Sequence, residues 1–397
     1  MATLKSGGSP RSTDRPPRFL ADLIERFDPD VIDVPSGSAR VRLVVDGDGA
    51  WDAVIEADEI ALRRADNAQP DAVLSADGDT WDRIARDVRG GMDAFRSRRL
   101  RVRQNLHLGV GFLAATSNLS DDGRLRFDSY STRKGRISTL SAGEGEPVLC
   151  LHGLGGTKAS FLSTVAALAD RHRVIALDLP GFGDSDKPLL AAYDAPYFAD
   201  AATALLDELG IEQAHLIGNS MGGRVAIELA LLRPERVGKV ALLSPALAWL
   251  RDRRWRWLLQ APLPLLGLIQ PAPRVITEPI VRNLVPGGRD GWSAAGVDEF
   301  LRSFLTPRGR VAFYEAARNI YLDEPHGERG FWPRLAAISS ETLFIWGRRD
   351  QLVPIAFMKH VERTLQAARH VELDCGHVPQ LEAPEQTHAA IIDFFDR

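Results

Sequence analysis

The apolar positions of this chain change their rhythm at residue 125. Before it they come as alternating runs broken by single helices. Phe19-Leu20-Ala21-Asp22-Leu23-Ile24-Glu25-Arg26-Phe27 carries apolar residues at helical spacing. Val41-Arg42-Leu43-Val44-Val45 reads as a strand that stops at the turn signal Asp46-Gly47-Asp48-Gly49. Trp51 to Ile60 resumes as one strand, and Ala72-Val73-Leu74-Ser75 is another. Thr80 to Val88 is an amphipathic helix closed by Gly90-Gly91. Arg99-Leu100-Arg101-Val102-Arg103 alternates strictly, as a half-buried strand does, and Leu106 to Thr116 is an apolar helix. This pattern predicts a small α+β domain over residues 18–117. Residues 1–17 are rich in Ser, Gly, Pro and Arg and read as a disordered leader, and polar residues 118–124 as a linker.

From Leu125 onward, apolar strands alternate with helices, which predicts a mostly parallel sheet. Strands are expected at Arg136–Ser141, Pro147–His152, Arg173–Asp178, Ala214–Ile217, Lys239–Ser244, Thr342–Gly347 and His370–Leu373. Helices are expected at Ala159–Ala169, Tyr197–Leu209 and Gly223–Ala230. Residues 245–340 show no sheet pattern and form a natural cap between two strands; Asp298 to Arg318 within them reads as helix. The fold class is therefore α/β with a helical cap over 125–397, preceded by the small α+β domain.

Gly218-Asn219-Ser220-Met221-Gly222 lies where one expected strand meets one expected helix. A Gly-x-Ser-x-Gly sequence there puts the serine on a sharp strand-to-helix turn with its hydroxyl exposed. The glycines let strand and helix approach, and the Met221 amide at the helix N-terminus can stabilise an oxyanion. A serine nucleophile needs a base, and the base needs a carboxylate to fix its tautomer. His377 follows the His370–Leu373 strand, and Asp350 follows the Thr342–Gly347 strand. Open α/β sheets place their sites at such strand ends. The strand ending in Ser244-Pro245 offers no carboxylate, so Asp350 is the candidate acid. The order Ser220, Asp350, His377 fits a Ser…Asp…His triad. The second oxyanion amide is assigned to Leu154, in the turn after His152-Gly153, and His152 itself is expected to shape that turn. No Gly-x-x-x-x-Gly-Lys-Ser/Thr sequence exists, so Gly155-Gly156 is not a phosphate loop.

The bulk properties narrow the partners. A net charge of -4 gives no general attraction to nucleic acid. Arg99, Arg101 and Arg103 share the solvated face of one strand, without interleaved aromatics, so no nucleic-acid partner is expected. Cys150 and Cys375 have neither disulfide nor zinc spacing. No apolar signal segment and no run of about eighteen apolar residues is present, so a cytoplasmic location is expected. In the cap, Trp249 to Leu259 mixes tryptophan, arginine and leucine, which suits transient contact with a membrane surface.

Taken together, His152-Gly153-Leu154-Gly155-Gly156, Asp178-Leu179-Pro180-Gly181-Phe182-Gly183-Asp184-Ser185, the Ser220 turn, Trp346-Gly347-Arg348-Arg349-Asp350 and Gly376-His377 resemble the serine α/β-hydrolase superfamily. The serine nucleophile sets the chain apart from its epoxide hydrolase and haloalkane dehalogenase branches. The Asn219 and Met221-Gly222-Gly223 flanks resemble the carbon–carbon hydrolases of ring-fission products. Leu154-Gly155-Gly156-Thr157 departs from that subgroup's Ser-Gly-Pro-Gly-like loop. The Asp46-Gly47 turn, Pro70 to Leu74, Arg89 to Phe95, Leu100 to Gln104 and Leu106 to Ala115 resemble a sterol carrier protein type 2 domain. That resemblance implies an apolar tunnel for lipids or acyl chains. The expected function is hydrolysis of a carboxylic ester of an apolar or lipid-like substrate through an acyl-enzyme, with neither metal nor organic cofactor. The alternative is carbon–carbon hydrolysis of ring-fission (meta-cleavage) products. A reading of another class is a non-catalytic lipid carrier.

Overall fold

A computed structural model describes residues 15–34, 37–86, 94, 99–117, 124–249, 263–270, 273–284 and 291–397. The leader up to residue 14, most of the 89–95 turn, Arg96 and Arg98, the linker at 118–123 and the cap run after Trp249 lie outside them. The chain divides into two compact units, Met1–Asn118 and Leu119–Arg397.

The first unit holds one five-stranded sheet in the order β3-β2-β1-β4-β5. Its strands are β1 (Ser38–Val45), β2 (Gly49–Glu56), β3 (Glu59–Arg64), β4 (Ala72–Ala76) and β5 (Arg101–Arg103). The stretch expected as one strand from Trp51 to Ile60 is a hairpin instead, because the chain turns at Ala57, whose φ is 52°. Alternation puts Val41, Leu43 and Val45 of β1 and Leu74 of β4 on the buried face. The other face is held by charge. Asp52 is fully buried and receives Arg42 Nε at 2.7 Å and Arg40 Nη1 at 2.9 Å. Arg101 and Arg103 point outward around buried Val102, as the alternation predicts. Among the described residues its helices include α1 (Arg18–Ile24), α2 (Gly78–Arg86) and α3 (Leu106–Ala115), and every residue of α3 is buried. A helix that is apolar all round belongs inside a fold.

The second unit contains an eight-stranded sheet in the order β13-β12-β11-β10-β8-β9-β7-β6. Strands β8 (Glu146–Leu151), β9 (His172–Leu177), β10 (Ala214–Asn219), β11 (Val237–Leu243), β12 (Thr342–Gly347) and β13 (Arg369–Leu373) run parallel. This is the mostly parallel sheet expected from the alternation. At its other edge β6 (Arg126–Thr132) and β7 (Gly135–Ala142) pair antiparallel. Strand β6 carried no apolar signal because only Phe127 of its seven residues is buried.

Helices α4 (Leu162–Leu168), α5 (Ala195–Glu208) and α6 (Met221–Leu232) cover the sheet, and α11 (Met358–Thr364) and α12 (Pro384–Phe395) follow later in the chain. The cap contributes α7 (Arg274–Leu284), α8 (Gly291–Phe304), α9 (Pro307–Leu322) and α10 (Phe331–Leu335). The helix expected over Asp298 to Arg318 is thus two helices. The break falls at Thr306, whose side chain accepts from the Gly309 amide, with Pro307 in the first turn. This is a strong helix start, so the chain begins anew there. Among the described residues no helix is long and apolar enough to cross a membrane.

Strand β10 hands over to α6 through Ser220, whose backbone sits at φ 51° and ψ −115°. A Cβ on Gly218 would stand 2.5 Å from the Gly222 carbonyl oxygen, and one on Gly222 would stand 1.9 Å from that of Leu151. Both glycines are therefore demanded by backbone contact. Gly222→Ala is expected to lower stability by at least about 3 kcal/mol, since rigid backbone must move. Thermal denaturation checks this against Gly210→Ala, where only the backbone conformation, φ 65°, opposes the change.

Candidate active site

The expected residues stand at three strand ends, and two of them, Asp350 and His377, meet directly. Ser220 follows β10, Asp350 lies beyond β12 and His377 beyond β13. His377 Nδ1 is 2.8 Å from Asp350 Oδ2. The other Asp350 oxygen accepts the amides of Leu352 at 2.8 Å and Val353 at 2.9 Å. Burial alone would raise the Asp350 pKa, but hydrogen bonds from His377 and those amides hold the carboxyl below the usual carboxylate range. An ionised Asp350 can only accept, so Nδ1 carries the proton of neutral His377 and Nε2 keeps a lone pair.

Two further side chains fix this loop, and the sequence did not single them out for it. Glu382 accepts the Gly376 amide at 2.7 Å and the Val378 amide at 2.9 Å, one on each side of His377. Asn219 Nδ2 donates to Leu243 O at 3.0 Å and to His377 O at 3.1 Å. The residue before Ser220 thereby ties the serine turn to the histidine loop. In the sequence Asn219 stands out only as a flank of the motif, and Glu382 has no signal beyond lying five residues after His377.

The turn after β8 lies against Ser220. A Cβ on Gly153 would be 3.3 Å from Ser220 Cβ, tighter than ordinary contact. Within the turn the Gly156 amide donates to Gly153 O at 2.9 Å. His152 is fully buried. Its Nε2 accepts the Leu179 amide at 3.0 Å, so Nδ1 bears the hydrogen and donates to the same Gly153 O at 2.8 Å. Burial lowers the His152 pKa and keeps the ring neutral. Peptides are planar and trans, so two donors holding the Gly153 carbonyl also set the opposite direction of the Leu154 N–H. That amide takes no part in the turn's own hydrogen bond. The Met221 amide stands in the first turn of α6, where the helix leaves it unpaired.

Beside Met221 a cavity of about 200 Å³ is lined by Tyr193, Phe198, Arg224, Asn319 and Ile320 among others. Its arginines are matched by acids. Arg224 meets Asp323 and Glu228, each at 2.9 Å, and Arg334 meets Glu228. Tyr314 bonds Gln270, and Arg318 pairs with Glu315. Both cysteines are free and buried; burial raises both thiols, Cys375 to about 12. No group of three or more metal-ligating side chains occurs among the described residues.

The chain belongs to the alpha/beta hydrolase fold family, whose model matches residues 146–384. It is a hydrolase of the serine type. It is 33% identical over 274 residues to a 2-hydroxy-6-oxo-6-phenylhexa-2,4-dienoate hydrolase of Burkholderia cepacia, covering 65% of this chain and 91% of that one. Among solved structures it is similar to a meta-cleavage product hydrolase from Pseudomonas fluorescens IP01, with a TM-score of 0.55, 26% identity, and cover of 68% and 97% of the two chains. It is also similar to a bacterial membrane phospholipase A, with a TM-score of 0.53, 27% identity, and cover of 68% and 86%.

The depressed Asp350 pKa has a stability consequence. A carboxyl lowered on folding stabilises the native state above its unfolded pKa near 3.9, and that contribution disappears as pH falls through the folded value. Asp350→Asn is therefore expected to flatten the loss of stability below about pH 4 relative to wild type. Denaturant titrations from pH 2.5 to 6 measure that slope.

Proposed function

We propose that this hydrolase cleaves a carbon–carbon bond next to a ketone in a conjugated ring-fission product, through Ser220, His377 and Asp350. The observation that carries this reading is the 33% identity to a dienoate hydrolase over 91% of that relative's length. It moves the balance from the ester expected of the motif to the alternative suggested by the flanks Asn219 and Met221-Gly222-Gly223.

In this mechanism Ser220 Oγ attacks the ketone carbon while His377 Nε2 takes its proton. Asp350 holds His377 in the required tautomer and stabilises the imidazolium. The amides of Leu154 and Met221 receive the developing oxyanion. The carbon–carbon bond then breaks. Its electron pair is delocalised into the conjugated carbonyl of the leaving fragment, and His377 delivers the proton that completes it. This step requires the fragment in its keto form, since a dienol offers no electron sink at that carbon. Water, deprotonated by His377, hydrolyses the acyl group from Ser220 and releases a carboxylic acid. Every step uses side chains and amides of this chain, so neither metal nor organic cofactor is required.

Ester hydrolysis is the second reading. The similarity to a phospholipase supports it, because the same acyl-enzyme chemistry serves both bonds. For the N-terminal unit we keep the sterol-carrier-like reading, over residues 18–117, as a binding element for apolar substrate. The succession of helix, strands, helix, strand and helix supports it. The exposed cap residues Leu266, Ile269, Val275 and Ile276 support transient contact with a membrane surface.

The experiment compares an aryl ring-fission product with a panel of nitrophenyl esters. Higher kcat/KM on the ring-fission product is expected, with kcat reduced about 10³- to 10⁶-fold in Ser220→Ala. Turnover of esters with the ring-fission product untouched would return the ester reading. Undiminished turnover in Ser220→Ala would remove both. Deleting residues 1–117 is expected to lower kcat/KM more for long-tailed than for short-tailed substrates. Equal losses would remove the N-terminal unit from substrate handling.

A further inference from the structure

From α8 the cap reaches the turn that carries Leu154 directly at one point and through intervening charges at another. The first is steric. Gly155 has φ 72°, and a Cβ there would stand 2.4 Å from Phe300 Cε2. Phe300 is itself fixed by aromatic neighbours, stacked on Phe304 at 5.2 Å and edge-on to Phe313 at 5.5 Å. The second is ionic. Arg302, one half-turn beyond Phe300, grips Asp184 with both guanidinium nitrogens and also binds Glu299 at 2.6 Å. Asp184 continues inward to Lys158 Nζ at 3.2 Å. Lys158 is nearly fully buried and donates to Asp178 twice, through Nζ at 2.6 Å and through its own amide at 2.7 Å. Asp178 also accepts the Asp184 amide at 2.8 Å. Although burial would raise its pKa, the Lys158 charge holds the carboxyl below the usual range.

Lys158 directly follows the turn at 153–157, and His152 directly precedes it. One end of the turn is held by His152 on the Gly153 carbonyl. The other end is held by Lys158 on Asp178, and through Asp184 by Arg302 of the cap. Gly155, in the middle, lies under Phe300. Lys158 and Asp178 lie in the low-dielectric interior, so parting them would leave Asp178 without its cation, and Arg302 is tied to this pair through Asp184. A displacement of α8 would therefore be passed along these contacts to the turn.

We propose that Arg302 and Phe300 are positioning residues for the Leu154 amide, so that the seating of the cap sets oxyanion stabilisation and not merely access to Ser220. This rests on the reading of Ser220 as nucleophile and Leu154 as oxyanion donor. The prediction is specific because transition-state stabilisation is sensitive to placement. A displacement of about 1 Å at a reacting centre costs about 10²-fold in rate.

The test uses the full chain with three probes: 4-nitrophenyl acetate for kcat and KM, a fluorophosphonate for active-site counting, and an aryl trifluoromethyl ketone as tetrahedral mimic. Arg302→Met and Phe300→Ala are expected to lower kcat per labelled site by about 10- to 100-fold. Affinity for the mimic should fall in parallel while KM stays within about threefold. Arg302→Lys keeps the charge but loses the two-pronged grip on Asp184, and should recover part of both losses. Unchanged kcat per labelled site and unchanged mimic affinity in Arg302→Met and Phe300→Ala would overturn the proposal. So would a rise in KM alone. Leu154→Pro separates the two readings, since it deletes the N–H itself. Loss of mimic affinity in Leu154→Pro with inert cap variants would overturn only the coupling. Full activity in Leu154→Pro would overturn the oxyanion assignment beneath it.

Discussion

The contact of α6 with the end of β8 governs the geometry of this site. Gly222 leaves no room for a side chain against the Leu151 carbonyl, and Gly218 leaves none against Gly222. That closeness forces the chain to reverse within one residue, and Ser220 takes the left-handed φ that results. Such a conformation costs of the order of 1–3 kcal/mol and persists only when its surroundings dictate it. Here they do. The Ser220 amide donates to Leu243 O at 3.0 Å, and Ser220 O accepts the Ala246 amide at 2.8 Å. The strain presents the hydroxyl at the end of the sheet and leaves the Met221 amide pointing from the helix start.

Around this turn, orientation comes from a small set of hydrogen-bonded polar groups, of which Asn219 and His152 are buried. Asn219 joins the serine turn to the His377 backbone, Glu382 clamps the amides on either side of His377, and His152 directs the Gly153 carbonyl. None of the three needs to touch a substrate to matter. A site held this way changes little when charge develops, which is what makes its electrostatics effective in a transition state. The cap joins the same scheme through charge rather than through neutral hydrogen bonds, and that gives it a mechanical connection to the Leu154 turn.

The serine turn and the Asp350–His377 pair were legible in the sequence because each candidate follows an apolar strand. The parallel sheet was legible for the same reason. What escaped was set by tertiary partners. Strand β6 is mostly polar and carries no strand signal of its own before it pairs with β7. The Trp51 to Ile60 run hid a hairpin because Ala57 is an unusual residue for a left-handed turn. Asp52 looks like an ordinary strand charge, yet it lies fully buried beneath Arg40 and Arg42. Arg302 looks like a helix residue paired with Glu299 three positions before it, and only the fold brings Asp184 to it. The bond cleaved was the least legible feature, since the nucleophile, base and oxyanion donors are common to ester and carbon–carbon hydrolysis.

Both readings converge on one covalent species, an acyl group on Ser220, and the carbon–carbon reading specifies which fragment it is. Rapid quenching of enzyme with an aryl ring-fission product, followed by intact-mass and peptide analysis, measures it directly. The account predicts a transient adduct of the aryl acyl mass on the peptide containing Ser220, formed with release of the conjugated acid fragment. Product formation without any adduct, or an adduct on another residue, would contradict it.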